Sequence, residues 1–201
     1  YYIRLSSDSE LITHFEKLAL STGLKLIIYN IPSYTQINIM PETIFELSKI
    51  NNIIGLKDSS GNFSQFQKCL RFFQGQEFKI FQGITDIAGI SMLLGADGCI
   101  PVLAPLFPEI FIELYEAAIS KDLDRLAIAQ DWVIKTSKIL SVGSNTVSSA
   151  KFAISLLGYI SKNVTSPFKQ LSHEEEELIK DLWQGIVSNC CFFKKNYLLK
   201  N

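Results

Sequence analysis

The feature that most constrains this fold is a regular alternation of short apolar runs with segments of helical periodicity. Four runs of strand length lie at 24–32, 52–58, 78–83 and 98–105. They recur at intervals of about 20 to 28 residues, a spacing typical of βα units. Runs that are apolar on both faces are typical of parallel strands covered by helices. The pattern therefore predicts an α/β fold with a parallel sheet.

Local signals mark the ends of the helices between these runs. Ser7 or Asp8 can cap the first helix, and Gly23 follows its end. Ser172 and Glu175 form a capping-box pattern before the last helix. The predicted helices are about 9–21, 41–50, 63–73, 86–94, 107–119, 122–140, 146–157 and 172–187.

The alternation of strand and helix stops after residue 120, where only helical patterns follow. We therefore predict a βα region at 1–120 and a helical extension at 121–187. The segment 188–201 has no clear periodicity and is left unassigned.

Two polar side chains stand at the ends of neighbouring apolar runs. Lys57 follows Tyr29 by 28 residues, about one βα unit, so the two could emerge from adjacent strands. Desolvation favours the neutral form of an amine, and a neutral amine is the nucleophile of a Schiff-base enzyme. Taken alone, such a lysine is more often a surface residue, and such a tyrosine is more often buried with its hydroxyl satisfied.

Composition excludes several functional classes. The chain of 201 residues is 47% hydrophobic with a net charge of −1, so no basic excess indicates nucleic-acid binding. No apolar stretch reaches the about 18 residues of a membrane span, and no signal-peptide pattern opens the chain. The cysteines show neither metal-site nor disulfide spacing, which predicts a reducing, cytoplasmic setting and no bound metal. They are Cys69, Cys99, Cys190 and Cys191.

Four motifs in order resemble the dihydrodipicolinate synthase and N-acetylneuraminate lyase family. They are YNIPS at 29–33, GLKDSSG at 55–61, FQG at 81–83 and GADGCIPVLA at 95–104. The resemblance implies a pyruvate-handling class I aldolase on a TIM (β/α)8 barrel with C-terminal helices. It also implies that the first residue falls at the end of barrel strand four. The chain would then carry the C-terminal half of the barrel, about four parallel strands, and the helical extension.

That alignment implies an incomplete site. The family's Gly-Thr-Thr-Gly-Glu segment, which binds the pyruvate carboxylate, would lie in the missing half, and the first residue is Tyr1 rather than methionine. We therefore expect a fragment that is not a competent enzyme alone. An open half-barrel is also expected to expose strand edges and one side of its core.

The resemblance assigns roles residue by residue. Lys57 would form the Schiff base with a 2-oxo acid, and Tyr29 would donate and accept protons, so no cofactor beyond this covalent intermediate is expected. The other candidates are substrate-facing Ser59, Gly83 and Ile100, and Tyr2 as a possible residue of a neighbouring subunit's site. Ser59 could instead be a loop or cap residue, and Gly83 could serve close packing alone. Relatives are commonly tetramers, so a homo-oligomer is expected.

Tyr34 departs from the synthase branch of the family, which has an arginine there to grip the carboxylate of the aldehyde. A phenol does not replace a guanidinium fork in carboxylate recognition. A sugar-acid type substrate is therefore predicted, with 4-hydroxy-tetrahydrodipicolinate synthase as the alternative. An inactive fragment and a half-barrel that binds a partner chain are further alternatives. The aldehyde, the direction of reaction and the oligomeric state are left open.

Overall fold

The computed structural model describes residues 7–193, and this range contains one four-stranded sheet. The strands are β1 Leu26–Asn30, β2 Ile53–Asp58, β3 Lys79–Gln82 and β4 Gly98–Cys99. The helices are α1 Asp8–Thr22, α2 Pro32–Thr35, α3 Pro41–Leu47, α4 Phe63–Phe73, α5 Ala88–Leu93, α6 Pro108–Ser120, α7 Leu123–Ser137, α8 Thr146–Ser155 and α9 His173–Asn189. Short 3-10 helices span Thr85–Ile87 and Lys138–Ser141.

The chain forms two compact units, 1–100 and 101–201. The sheet and α1–α5 belong to the first unit, and α6–α9 belong to the second. The predicted helical extension, 121–187, lies entirely within the second unit.

The sheet has the order β1-β2-β3-β4, and every neighbouring pair is parallel. Ile28, Leu56 and Ile80 are aligned across β1, β2 and β3 and are all buried. Helices α4 and α5 pack against β3. Because side chains alternate between the two faces of a strand, this aligned row defines the helix-covered face of the sheet.

The opposite face of the sheet is more open. Ile27 and Tyr29, on alternate positions of β1, are each 44% exposed. Ile100, just after β4, is 41% exposed. Among the described residues this face therefore presents apolar side chains to solvent, as expected of an open half-barrel.

Of the two cap candidates for the first helix, Ser7 is the N-cap and Asp8 is the first helical residue. The Ser7 side chain accepts a hydrogen bond from the Glu10 backbone amide, and the Glu10 side chain reciprocates at the Ser7 amide. Ser172 and Glu175 make the same capping box at α9. Gly23 ends α1 with φ of 62°, a left-handed conformation that glycine adopts without strain.

Two local predictions differ from the structure. The fourth strand, predicted over 98–105, pairs only at Gly98–Cys99. Pro101 has no amide hydrogen to extend the ladder, and the chain then turns, with the Leu106 amide donating to the Leu103 carbonyl at 3.0 Å. The short helix α2 was not predicted; it begins at Pro32, a residue that suits a first helical position.

The described part of the second unit contains helices, turns and loops but no strand. Helix α6 contacts α7, and their apolar sides bury Ile110, Leu114 and Val133. Arg125 of α7 donates to the Glu113 carboxylate of α6 at 2.7 Å. Within residues 7–193, no helix combines the length and the apolar character that crossing a bilayer requires.

Candidate functional site

Tyr29 and Lys57 are brought together at the carboxyl ends of β1 and β2. They are direct register partners in the parallel ladder. The Lys57 Nζ atom lies over the Tyr29 ring, 4.2 Å from its centroid. At this distance an ammonium group is attracted to the face of the aromatic ring by a cation–π interaction. The spacing of one βα unit thus places the two side chains in contact.

The Tyr29–Lys57 pair lies on the open face of the sheet. Tyr29 is nearly half exposed, and Lys57 is half-buried rather than enclosed. The ends of β1 and β2 are therefore open to solvent on the side of these two side chains, whereas the sequence argument for Lys57 relied on a desolvated amine. Phe81 is the register partner of Lys57 on β3 and continues the same row.

Ser59 and Gly83 meet just beyond the strand ends. The Gly83 amide donates to the Asp58 carbonyl at 2.7 Å, and the Ser59 amide donates to the Asn30 carbonyl at 2.8 Å. A Cβ atom at position 83 would lie 1.9 Å from the Ser59 Oγ atom and 2.9 Å from the Asp58 carbonyl oxygen. Glycine is therefore required here for close packing, whether or not it also faces a substrate.

The remaining predicted residues are more dispersed. Ile100 follows β4 and donates its amide to the Gln82 carbonyl at 3.0 Å. Tyr34 lies on α2 and is 73% exposed. Tyr2 falls outside the described residues. The roles of these three side chains rest on the family resemblance.

A polar cluster behind the site was missed by the sequence analysis. Asn30 and Asp58 are register partners one position beyond Tyr29 and Lys57, on the buried face. The Asn30 Nδ2 atom donates to Asp58 Oδ1 at 3.3 Å and to Asn38 Oδ1 at 3.0 Å. Gln65 of α4 accepts from Asn38 at 2.9 Å. We call Asn30, Asn38, Asp58 and Gln65 the amide–carboxylate cluster. The sequence signal that could have indicated it is the polar residue directly after each predicted site residue, Asn30 after Tyr29 and Asp58 after Lys57.

Comparison with known proteins identifies the family. The model of the dihydrodipicolinate synthetase family matches residues 1–185. The chain belongs to the dihydrodipicolinate synthetase family. A 4-hydroxy-tetrahydrodipicolinate synthase from Kosmotoga olearia is 34% identical over 185 residues, which are 91% of this chain and 63% of that protein. A synthase of the same name from Alkaliphilus oremlandii is 30% identical over 180 residues, covering 90% of this chain and 61% of that protein.

Solved structures of the family share the fold. The dihydrodipicolinate synthase of Bacteroides thetaiotaomicron superposes with a TM-score of 0.85 at 33% identity, covering 92% of this chain and 64% of that one. YagE, a prophage protein of the same family from E. coli K12 in complex with pyruvate, superposes with a TM-score of 0.83 at 26% identity, covering 92% and 63%. The predicted fold class is confirmed: four parallel strands with helices and a helical C-terminal part of a TIM-barrel family.

This chain is shorter than the family members that it matches. The chain spans about 63% of the length of the family members it matches.

Asp58 is a buried carboxylate next to the candidate site. It is 2% exposed, and burial raises the pKa of its carboxyl above the ordinary value of 3.8, although hydrogen bonds from Ser60 and Asn30 oppose that rise. Its Oδ1 atom accepts from the Ser60 amide at 2.7 Å. Among the described residues, its Oδ2 atom has no hydrogen-bond partner. Such an orphaned buried oxygen carries a desolvation cost.

This geometry predicts a pH-dependent stability difference for Asp58→Asn. The folded-state pKa of Asp58 is raised, so its contribution to stability is present at low pH and is lost as pH rises through that value. Asparagine keeps the acceptor for the Ser60 amide and removes the buried charge. We expect the free energy of unfolding of the variant, relative to the parent, to increase as pH rises from about 4 to about 8, measured by urea denaturation. A difference that falls with rising pH would contradict this assignment.

Two nearby thiols are poor nucleophiles. Burial raises the pKa of Cys69 to about 12, helped by the negative charges of Asp58 and Glu42. Burial also raises the pKa of Cys99 to about 11. Because the thiolate is the reactive form, both cysteines are expected to stay protonated and unreactive near neutral pH.

Proposed function

We propose that this chain supplies the Schiff-base half of a class I aldolase acting on pyruvate or another 2-oxo acid. The observation that carries the proposal is the contact between Lys57 Nζ and the Tyr29 ring, 4.2 Å from its centroid, at the ends of neighbouring parallel strands. Active sites of TIM-barrel enzymes are built at this carboxyl edge of the strands. YagE, described in complex with pyruvate, supports the substrate class.

The proposed chemistry uses the two side chains in sequence. The neutral Lys57 amine attacks the C2 carbonyl carbon of the 2-oxo acid and forms a carbinolamine. Tyr29 protonates the departing hydroxyl, and loss of water leaves an iminium. In cleavage, the Tyr29 oxygen that has just given up its proton takes the proton of the C4 hydroxyl, the C3–C4 bond breaks to release an aldehyde, and the electron pair of that bond passes to the iminium to give an enamine. In the reverse direction the enamine attacks an aldehyde, and Tyr29 protonates the new oxyanion. Protein groups and substrate atoms complete this sequence without a cofactor.

We further propose that the site is completed outside this chain. The chain covers about 63% of the matched proteins, and its four strands would correspond to strands five to eight of the barrel. Strands one to four would supply the group that binds the substrate carboxylate and would cover the open face of the sheet. A homo-oligomer of the completed barrel is part of this proposal. Without strands one to four, two alternatives remain. The chain is an inactive fragment, or it is a half-barrel that binds another chain.

Two substrate classes compete within this function. Tyr34 supports a sugar-acid type substrate, because a neutral phenol is a poor clamp for the second carboxylate of a semialdehyde. The names of the Kosmotoga olearia and Alkaliphilus oremlandii relatives support 4-hydroxy-tetrahydrodipicolinate synthase instead. We propose the sugar-acid class first, since it rests on a residue of this chain.

Trapping with pyruvate and borohydride tests the Schiff base. The chain is joined to strands one to four of the Kosmotoga olearia relative, and the peptides are mapped by mass spectrometry. We expect a reduced pyruvyl adduct on Lys57, since borohydride reduces the iminium to a stable amine. The 201-residue chain alone is expected to be labelled little or not at all. An adduct confined to another lysine, or none in the joined protein, overturns the proposal.

The Tyr34→Arg variant of the joined protein tests the substrate class. A charged hydrogen bond is worth roughly 1.5–3 kcal/mol, about ten- to a hundredfold in discrimination. We expect the variant to gain up to that factor in kcat/KM with aspartate semialdehyde and to lose activity with neutral polyhydroxy aldehydes. Tyr34→Gln, which adds no charge, is the matched control and is expected to gain nothing with the semialdehyde. If the parent already prefers the semialdehyde, the synthase reading replaces the sugar-acid one.

A further inference from the structure

We propose that Asn30 and Asp58 are positioning residues that hold Tyr29, Lys57 and the loops around them in their reactive arrangement. This inference rests on the proposed function, because it concerns the same pair of reacting side chains. Asn30 and Asp58 follow Tyr29 and Lys57 directly in the chain and pair with each other in the same ladder. They point to the buried face, so they act through the backbone rather than by touching a substrate.

Asn30 closes the loop that carries Tyr34. Its Oδ1 atom accepts from the Ile39 amide at 3.0 Å, and its Nδ2 atom donates to Asn38 at 3.0 Å. The side chain of Gln65 donates to the Ile39 carbonyl at 3.0 Å and so joins this loop to α4. One buried amide therefore ties together both ends of the segment between residues 30 and 39.

Asp58 organises the turn after β2 in the same way. Its side chain accepts from the Ser60 amide at 2.7 Å, and its backbone carbonyl accepts from the Gly83 amide at 2.7 Å. The bond from Asn30 to Asp58 connects this turn to the Tyr34 loop. The side chains of the amide–carboxylate cluster thereby fix the backbone that follows Tyr29 and the backbone that follows Lys57.

The composition of the cluster is better explained by function than by stability. The preceding aligned row of this face is apolar, with Ile28, Leu56 and Ile80. Placing Asn30 and Asp58 on the same face costs desolvation, and Asp58 retains an oxygen without a partner among residues 7–193. Well-packed apolar residues are often at least as stabilising as such buried polar groups. Directional hydrogen bonds, by contrast, set geometry that apolar packing leaves looser.

The test measures geometry directly in the 201-residue chain. Protons held over an aromatic ring shift upfield in NMR spectra, so the Lys57 side-chain resonances report its place over Tyr29. The Tyr29→Leu variant gives the chemical shifts of the Lys57 side-chain protons in the absence of the ring. Asn30→Leu and Asp58→Leu keep much of the volume and remove the hydrogen bonds, and each is expected to lose most of the upfield shift. Asp58→Asn keeps the acceptor oxygen and is expected to retain it.

Two further variants separate positioning from general loosening. Ser91→Ala removes a buried bond from Gln82 at 3.0 Å on the next strand and is expected to leave the Lys57 resonances unchanged. Asn38→Ala removes one exposed member of the cluster and is expected to fold even if the leucine variants do not, with a partial loss of the Lys57 shift. Thermal unfolding is recorded in parallel for every variant.

The outcomes are distinct. An unchanged Lys57 shift in folded Asn30→Leu or Asp58→Leu overturns the proposal, as does an equal loss of the shift in Ser91→Ala. If only Asn38→Ala folds, an unchanged shift in that variant overturns it. The pyruvate trapping experiment fails or succeeds independently of these resonances. If the joined protein forms no adduct while Asn30→Leu and Asp58→Leu still lose the Lys57 shift, the aldolase function is rejected. The result that the cluster positions Lys57 over Tyr29 is then unaffected.

Discussion

Replacing Lys57 by methionine in the joined protein is expected to abolish the pyruvyl adduct and to lower kcat by roughly 10⁴-fold or more, the scale seen when a covalent nucleophile is removed. Methionine keeps the length and apolar stem of the side chain but has no amine to attack a carbonyl. Because Lys57 is only half-buried, the change should cost little stability. Steady-state kinetics, intact mass after borohydride reduction and a melting curve measure the three quantities.

Lys79→Met is the matched control for this substitution. Lys79 also lies on a strand of the sheet, at the start of β3, and its ammonium pairs with the Asp97 carboxylate at 2.9 Å. An exposed ion pair of this kind contributes at most about 1 kcal/mol. The control variant is expected to retain both the adduct and most of the turnover. Equal losses in the two variants would show that the adduct depends on folding rather than on a particular amine.

The Tyr29→Phe variant of the joined protein is expected to lose about 10²–10⁴-fold in kcat, the usual range for losing a proton-transfer group. Phenylalanine keeps the ring that faces Lys57 Nζ at 4.2 Å, so the cation–π contact and the position of the amine are preserved. Only the hydroxyl is removed. The Lys57 NMR resonances should therefore keep their upfield shift while the rate falls.

Tyr159→Phe provides the comparison for this loss of one hydroxyl. Tyr159 lies in the second unit and is highly exposed. Its variant is expected to match the parent in rate and in melting temperature. Turnover of Tyr29→Phe within a few-fold of the parent would make Tyr29 a structural residue and reject the proton-transfer role.

Much of the architecture follows from local sequence. The alternation of apolar runs and helical periodicity determined the order of strands and most helices, because each period is set by backbone geometry alone. The capping boxes at Ser7 and Ser172 involve residues only three positions apart, so their chemistry can be read directly from the chain. The 28-residue spacing of Tyr29 and Lys57 predicted adjacent strands, since one βα unit returns the chain to the neighbouring position.

Local sequence did not determine where β4 ends or which face each polar residue occupies. Pairing of β4 stops after Cys99. Pro101, two residues later, has no amide hydrogen to donate to the ladder, and the chain turns away from the sheet. Ser59 was readable as a loop residue, but only the folded chain places its hydroxyl where a Cβ of residue 83 would lie. Such contacts depend on distances between segments far apart in sequence.

The division of the two polar pairs between the faces of the sheet was decided by tertiary structure. Tyr29 and Lys57 face the open side of the sheet, whereas Asn30 and Asp58 face its helix-covered side. The sequence shows the four residues as two adjacent polar pairs, with nothing to separate a reacting pair from a supporting one. The pleat of the parallel strands separates them, because successive side chains must point to opposite faces. The helices that bury one face then leave Tyr29 and Lys57 open to solvent on the other.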